Sequence, residues 1–206
     1  MKEYTTIANK VVIAETVIEK SRFIASATHV DSVEKAVEFV NEKRKQYFDA
    51  THNCYAYIVD DKAKFSDDGE PQGTAGMPIF ECLKNSGLDR VCVVVTRYFG
   101  GIKLGAGGLV RAYNGSCAEV LKRCEKLQMT DCTRLEVQVD YNLLKPLRRA
   151  LQSFAVEENV TYDQKVTLVF LFPTVSSNTI LDIVVQNTLG KAVFREKERV
   201  LCHFEL

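Results

Sequence analysis

Thr96-Arg97-Tyr98-Phe99-Gly100-Gly101-Ile102-Lys103-Leu104-Gly105-Ala106-Gly107-Gly108-Leu109-Val110-Arg111 joins two elements of opposite character. Upstream, the apolar run Val91–Val95 reads as a strand buried on both faces. Downstream, Leu109, Tyr113, Cys117, Val120 and Cys124 line one side of a long helix. The intervening glycines supply backbone conformations and close approaches that a side chain forbids. At a strand-to-helix turn they let backbone N–H groups reach an anion, and the helix N-terminus adds partial positive charge. Arg90, Arg97, Lys103 and Arg111, with no acidic residue between Arg90 and Ala118, predict a local electropositive patch. The alternative is a tight turn whose glycines serve helix–strand packing. The spacing excludes a Gly-x-x-x-x-Gly-Lys-Ser/Thr loop and a strict dinucleotide fingerprint.

A second glycine-rich loop, Phe65-Ser66-Asp67-Asp68-Gly69-Glu70-Pro71-Gln72-Gly73-Thr74-Ala75-Gly76-Met77-Pro78, precedes it. Its three carboxylates have three readings: a seat for a hard cation such as Mg²⁺, ion pairs to the basic loop, or an ordinary Asp/Gly/Pro turn. In a compact domain the adjacent acidic and basic runs are expected to meet. That puts Asp67, Asp68 or Glu70 within ion-pair reach of Arg97, Lys103 or Arg111.

Three other groups of side chains invite a functional reading. His52 and Cys54 share one face of a strand, but no third group orients them, so no catalytic pair is assigned. Tyr55 and Tyr57 stack bases if exposed and are core otherwise, and burial is expected. Lys145, Arg148 and Arg149 fall on one helix side, as a phosphate-binding set or a solvated face. His29 and His203 have no partner that the sequence reveals.

The remaining pattern is regular. Residues 10–30 read as a hairpin broken at Glu19-Lys20-Ser21, and Asp31 with Glu34 resembles a capping box opening an amphipathic helix. Asn53–Val59 reads as a strand, and a short helix is expected to start near Pro78. After Cys132 come an alternating strand at Leu135, Val137 and Val139 and a helix carrying Leu143, Leu144, Leu147, Leu151 and Phe154. Two strands then flank Asp163-Gln164, a helix ends at Gly190, and a last strand runs towards Phe204. This is the βαββαβ order of a ferredoxin-like unit. Two domains are expected, 1–131 and 132–206, in an α+β protein.

Composition narrows the function classes. The chain has 206 residues, with 27 basic and 27 acidic side chains, so no whole-molecule field draws in nucleic acid or an anionic membrane. No apolar run approaches the ~18–20 residues of a membrane span, and the start lacks the apolar core of a signal peptide, so a cytoplasmic protein without a membrane partner is expected. The seven cysteines form no Cys-x-x-Cys pair and read as small buried hydrophobes, with neither disulfide nor zinc expected.

The two loops carry a resemblance. Ser66-Asp67-Asp68-Gly69-Glu70-Pro71 with Gly73-Thr74-Ala75-Gly76, then Arg97-Tyr98-Phe99-Gly100-Gly101 and Leu104-Gly105-Ala106-Gly107-Gly108-Leu109, resemble the signature of the Impact/YigZ family. His52-Asn53-Cys54-Tyr55-Ala56 fits it as well, and the resemblance covers essentially the whole chain. It implies an N-terminal domain of the ribosomal-protein-type left-handed βαβ fold, and a C-terminal domain resembling the last domain of elongation factor G. It also implies a link with translation.

The expected function is a non-enzymatic RNA- or ribosome-associated regulator of translation, which binds phosphate backbone without cofactor or metal. Its candidate site residues are Arg97, Tyr98, Gly100, Gly101, Lys103, Gly105, Gly107, Gly108 and Arg111, with Lys145, Arg148 and Arg149. The signature loop adds His52, Asp67, Asp68, Gly69, Glu70, Gly73, Thr74 and Gly76. The alternative is a nucleotide- or small-molecule-binding enzyme with the small-molecule-kinase-like fold, in which the loop carboxylates hold Mg²⁺. A regulatory-protein partner is a third expectation. For the cysteines, titration of unfolded, unreduced protein kept from air oxidation should return all seven thiols; a count of about five or fewer would overturn their reading as buried thiols.

Overall fold

A computed structural model describes residues 1–205 as a mixed α+β protein with antiparallel sheets. The chain divides into two compact units, Thr5–Leu127 and residues 128 onward together with Met1–Tyr4. In chain order the elements up to residue 123 are β1 (Tyr4–Ile7), β2 (Val12–Ile18), β3 (Ser21–His29), α1 (Val33–Gln46), β4 (His52–Val59), β5 (Lys62–Ser66), α2 (Gly76–Asn85), β6 (Val91–Tyr98) and α3 (Gly105–Arg123).

The first unit is built around β6, at the centre of a sheet ordered β2-β3-β6-β4-β5. Its apolar run leaves neither face polar, and both faces are covered. Val91, Val93 and Val95 pack with α2 and α3, beside Ala25, Ala27, Cys54 and Ala56 from the flanking strands. Cys92 and Val94 pack with α1, beside Tyr55 and Tyr57. The period of two along each strand thus sorts side chains into two cores.

Two helix caps differ from the sequence expectation. Ser32, with φ −152° and ψ 166°, is the cap of α1, and its hydroxyl accepts from the Lys35 N–H. Asp31 instead accepts from His29 Nε2 at 2.9 Å, while Thr6 Oγ1 lies 2.8 Å from His29 Nδ1, so His29 has partners after all. Helix α2 starts at Gly76, two residues before Pro78, and its cap comes from outside the helix. Asp67 Oδ1 accepts from the N–H groups of Ala75 at 3.0 Å and Gly76 at 2.8 Å. A carboxylate nine residues upstream therefore satisfies the orphan donors that a local cap would serve.

The second unit continues through β7 (Lys126–Val139), α4 (Tyr141–Leu151), β8 (Val156–Tyr162), β9 (Val166–Pro173), α5 (Ser177–Thr188) and β10 (Val193–His203). Strand β7 pairs with β9 on one side and β10 on the other, and β8 pairs with β9, all antiparallel. Leu135, Val137 and Val139 stand opposite Phe170, Leu168 and Val166, and this row forms the core with Leu147, Leu151, Ile180 and Val184. Phe154, expected on the helix, lies beyond the end of α4 and is exposed. His203, which the sequence left without a partner, lies 3.2 Å from the Gln128 carbonyl and 2.8 Å from Glu205 Oε1.

Two glycines of the first unit permit close backbone approach. A Cβ on Gly100 would lie 2.0 Å from the Lys20 carbonyl carbon in the β2–β3 turn, and one on Gly76 would lie 2.6 Å from that of Ser66. Gly107, by contrast, faces the Arg111 side chain at 3.5 Å, an ordinary contact. Gly100→Ala should therefore cost about 2–4 kcal/mol in urea unfolding, as a backbone clash cannot relax by rotamer change. Gly107→Ala should stabilise by up to about 1 kcal/mol, through reduced chain entropy.

Candidate functional site

Arg97 sits one residue before the end of β6, across from Phe23 on β3 and His52 on β4. Directly opposed residues share a face, so the three form one row at the α2/α3 side. The guanidinium lies over the rings of Phe23 and Phe99, each centroid 5.5 Å away. Its Nη1 donates to Glu70 Oε1 at 2.7 Å and its Nη2 to Ser21 Oγ at 3.2 Å, while Nε is buried without a partner among the described residues. The Glu70 and Arg97 side chains are 3% and 6% exposed. The two loops therefore meet, as expected, through a buried pair.

Tyr113 on α3 adds a second donor to Glu70 Oε1 at 2.7 Å. Burial pushes its phenol pKa up, which keeps that proton in place. His52 Nδ1 lies 2.8 Å from the Asp68 carbonyl. A carbonyl only accepts, so Nδ1 carries the hydrogen, and Nε2 faces Glu70 Oε2 at 3.8 Å. His52 and Cys54 share no hydrogen bond among the described residues. Cys54 donates to the Asp67 carbonyl at 2.9 Å, and burial pushes its thiol pKa up, the opposite of what a nucleophile needs.

The other loop carboxylates are committed to structure. Asp67 Oδ2 accepts from the Gly73 N–H at 2.9 Å, besides the two N–H groups of α2. Asp68 accepts from the Asn53 N–H at 2.7 Å and pairs with Arg44 of α1 at 2.6 Å. Thr74 Oγ1 donates to the Pro71 carbonyl, and Gly69 and Gly73 take left-handed backbone with φ of +88° and +76°. Among the described residues no group of His, Cys, Asp and Glu is arranged to hold a metal.

The basic patch is smaller than the sequence suggested. Arg90 pairs with Asp60 at 3.1 Å and Arg97 is neutralised by Glu70. The Tyr98 hydroxyl donates to Asp49 at 2.8 Å, and Arg22 lies over the Tyr98 ring. Lys103 and Arg111 are exposed and have no ion pair among the described residues. They flank the start of α3, whose first turn has neither a side-chain cap nor an acidic residue. Gly101 and Gly105 reach that turn in left-handed backbone. A cleft of about 370 Å³ opens there between Pro71, Phe99, Lys103, Leu104, Gly105 and Leu109, with Glu70 and Arg97 also in its lining. In the second unit Arg148 pairs with Glu157 at 2.5 Å, and Lys145 and Arg149 are exposed. Tyr55 and Tyr57 are buried and stack on each other 6.3 Å apart, so they offer no surface to bases.

Sequence reasoning missed Ser21, Phe23, Arg44 and Tyr113 as parts of this arrangement. Each comes from an element remote in sequence, and each read locally as a turn, a strand or a helix face.

Comparison with known proteins shows the family. Residues 19–121 match the model of the Impact N-terminal domain. The chain is 40% identical over 189 residues to IMPACT family member YvyE of Bacillus subtilis, covering 89% of this chain and 87% of that one. It is 40% identical over 156 residues to IMPACT family member YigZ of Escherichia coli, covering 73% and 76% of the two chains. A solved structure titled as that of a hypothetical protein aligns with a TM-score of 0.63 at 33% identity, covering 96% of this chain and 98% of its own. The chain belongs to the Impact family.

Removing one partner of the desolvated pair strands the other charge. Glu70→Ala should lower unfolding free energy by about 3–5 kcal/mol, read from the urea midpoint. Glu119→Ala, which removes an exposed i,i+4 partner of Arg123, should change it by less than about 0.5 kcal/mol. Equal effects would show that Glu70 and Arg97 do not form the structural centre of the site.

Proposed function

We propose that this protein is a non-enzymatic RNA- or ribosome-associated regulator of translation, acting in the cytoplasm, that grips phosphate backbone at the start of α3. The observation that carries the reading is the pair of exposed cations, Lys103 and Arg111, beside an uncapped helix N-terminus free of acidic residues. Free backbone N–H groups and partial positive charge at such a terminus suit an anion, and the two side chains add charge without a fixed base-reading geometry. Lys145 and Arg149 supply a second basic surface of the same kind.

The family resemblance supports the link with translation. The path β3-α1-β4, with β6 between the two strands, fits the ribosomal-protein-type left-handed βαβ fold of the N-terminal domain. The order β7-α4-β8-β9-α5-β10 fits a ferredoxin-like C-terminal domain like the last one of elongation factor G, the division falling within β7. The occupied carboxylates speak against the enzyme reading, because Asp67 and Asp68 are bound to backbone N–H groups instead of facing the cleft.

Filter binding to RNA and co-sedimentation with ribosomes test the proposal. Lys103→Ala and Arg111→Ala should each weaken binding nearly uniformly across sequences and reduce the salt slope by about one unit. Stability should stay within about 0.5 kcal/mol of wild type. Wild-type affinity and slope in both variants would refute the site. A thermal shift of several degrees with ATP or GTP and Mg²⁺, without RNA binding, would favour the nucleotide-binding enzyme instead.

A further inference from the structure

The packing of α2 on α3 brings together two cysteines that the site does not use. Cys117 Sγ donates to the Ile79 carbonyl at 3.7 Å, and Asn114 Nδ2 donates to the Pro78 carbonyl at 3.3 Å. Cys82 lies three residues beyond Ile79, on the same helix face, and packs against the core cluster that holds Cys117. The two thiols differ in access. Cys117 is 0% exposed, within the core shared by both helices, whereas Cys82 is partly exposed at its edge.

We propose that Cys82 and Cys117 form a peroxide-responsive dithiol that closes to a disulfide between α2 and α3. The contact supplies an accessible sulfur to be oxidised and a sheltered one to resolve it, the arrangement that redox-sensing cysteines share. In the first step the Cys82 thiolate attacks one oxygen of hydrogen peroxide. The O–O bond breaks, Cys82 becomes a sulfenic acid, and the departing hydroxide takes a proton to leave as water. In the second step the Cys117 sulfur attacks the Cys82 sulfur. The S–OH bond breaks, the S–S bond forms, and the Cys117 proton leaves with the hydroxide as a second water. A dithiol reductant reverses the closure by exchange.

The charge balance of the pair agrees with these roles. The neighbouring Cys117 sulfur holds the Cys82 thiol pKa below its ordinary value, and the same proximity, followed by burial, pushes that of Cys117 up. The bridge would tie the middle of α2 to the middle of α3. Both helices begin at the candidate site, α2 at the Asp67 cap and α3 at the cleft, so the oxidised form would fix one against the other.

The test treats the full chain with a modest molar excess of hydrogen peroxide, then unfolds it, counts thiols with a maleimide and maps the peptides. The expected result is loss of two of the seven thiols, a Cys82–Cys117 peptide, and full recovery with dithiothreitol. Cys82→Ser, at a partly exposed position that tolerates the change, should lose no thiol under the same treatment. Cys117→Ser should leave a Cys82 sulfenic acid that a dimedone-type probe traps. Persistence of all seven thiols would overturn the proposal, as would conversion of Cys82 to sulfinic acid without bridging. So would a bridge mapping to Cys132 and Cys202, on the neighbouring strands β7 and β10 of the second unit, or to Cys117 and Cys124. An unchanged thiol loss in Cys82→Ser would do the same.

Discussion

The ion pair between Glu70 and Arg97 is the constraint on which the first unit depends. Its two charges are largely removed from water, a loss that mutual attraction offsets only when the geometry is good and most of the remaining polar atoms find partners, although the Arg97 Nε has none among the described residues. That requirement fixes four remote segments at once. The strand end of β6 brings the guanidinium, the start of β3 brings the Ser21 hydroxyl, the acidic loop brings the carboxylate, and α3 brings the Tyr113 hydroxyl. The rings of Phe23 and Phe99 close the guanidinium faces. A non-directional apolar contact would hold these segments near each other; the pair also sets their register.

The same arrangement separates the charges of a neutral chain. Carboxylates of the acidic loop turn inward to backbone N–H groups, to Arg44 and to Arg97, and so contribute little field outside. Lys103 and Arg111 turn outward beside the positive end of α3. A sum over all charges gives zero, yet the start of that helix presents cations without anions between them.

Much of this was legible in the sequence, and the reason differs by element. The run at Val91–Val95 has no polar period, so a strand covered on both faces was the simple solution. Leu109, Tyr113, Cys117 and Val120 keep helical spacing, and all four are buried. Starts were less legible because caps are chosen among neighbours of similar chemistry: Ser32 won over Asp31, and α2 took its cap from Asp67. The fate of single charges was least legible. Arg97 carries the composition of a surface cation, and its burial follows from Glu70, twenty-seven residues earlier. Likewise Gly107 and Gly100 look alike in a glycine run, but the approach of the β2–β3 turn makes Gly100 the tight one.

The position of β6 in the sheet also bears on how the chain is made. The hairpins β2–β3 and β4–β5 are complete by residue 66, yet they share no hydrogen-bonded edge in the sheet, because β6 lies between them. During synthesis both therefore wait with open edges until residues 91–98 emerge, and unpaired edges template association with other chains. The strand they wait for is itself the most apolar segment of the unit. Until β6 is inserted, the inner edges of β3 and β4 are left unpaired. A chaperone that shields apolar strands would have its greatest effect in that interval.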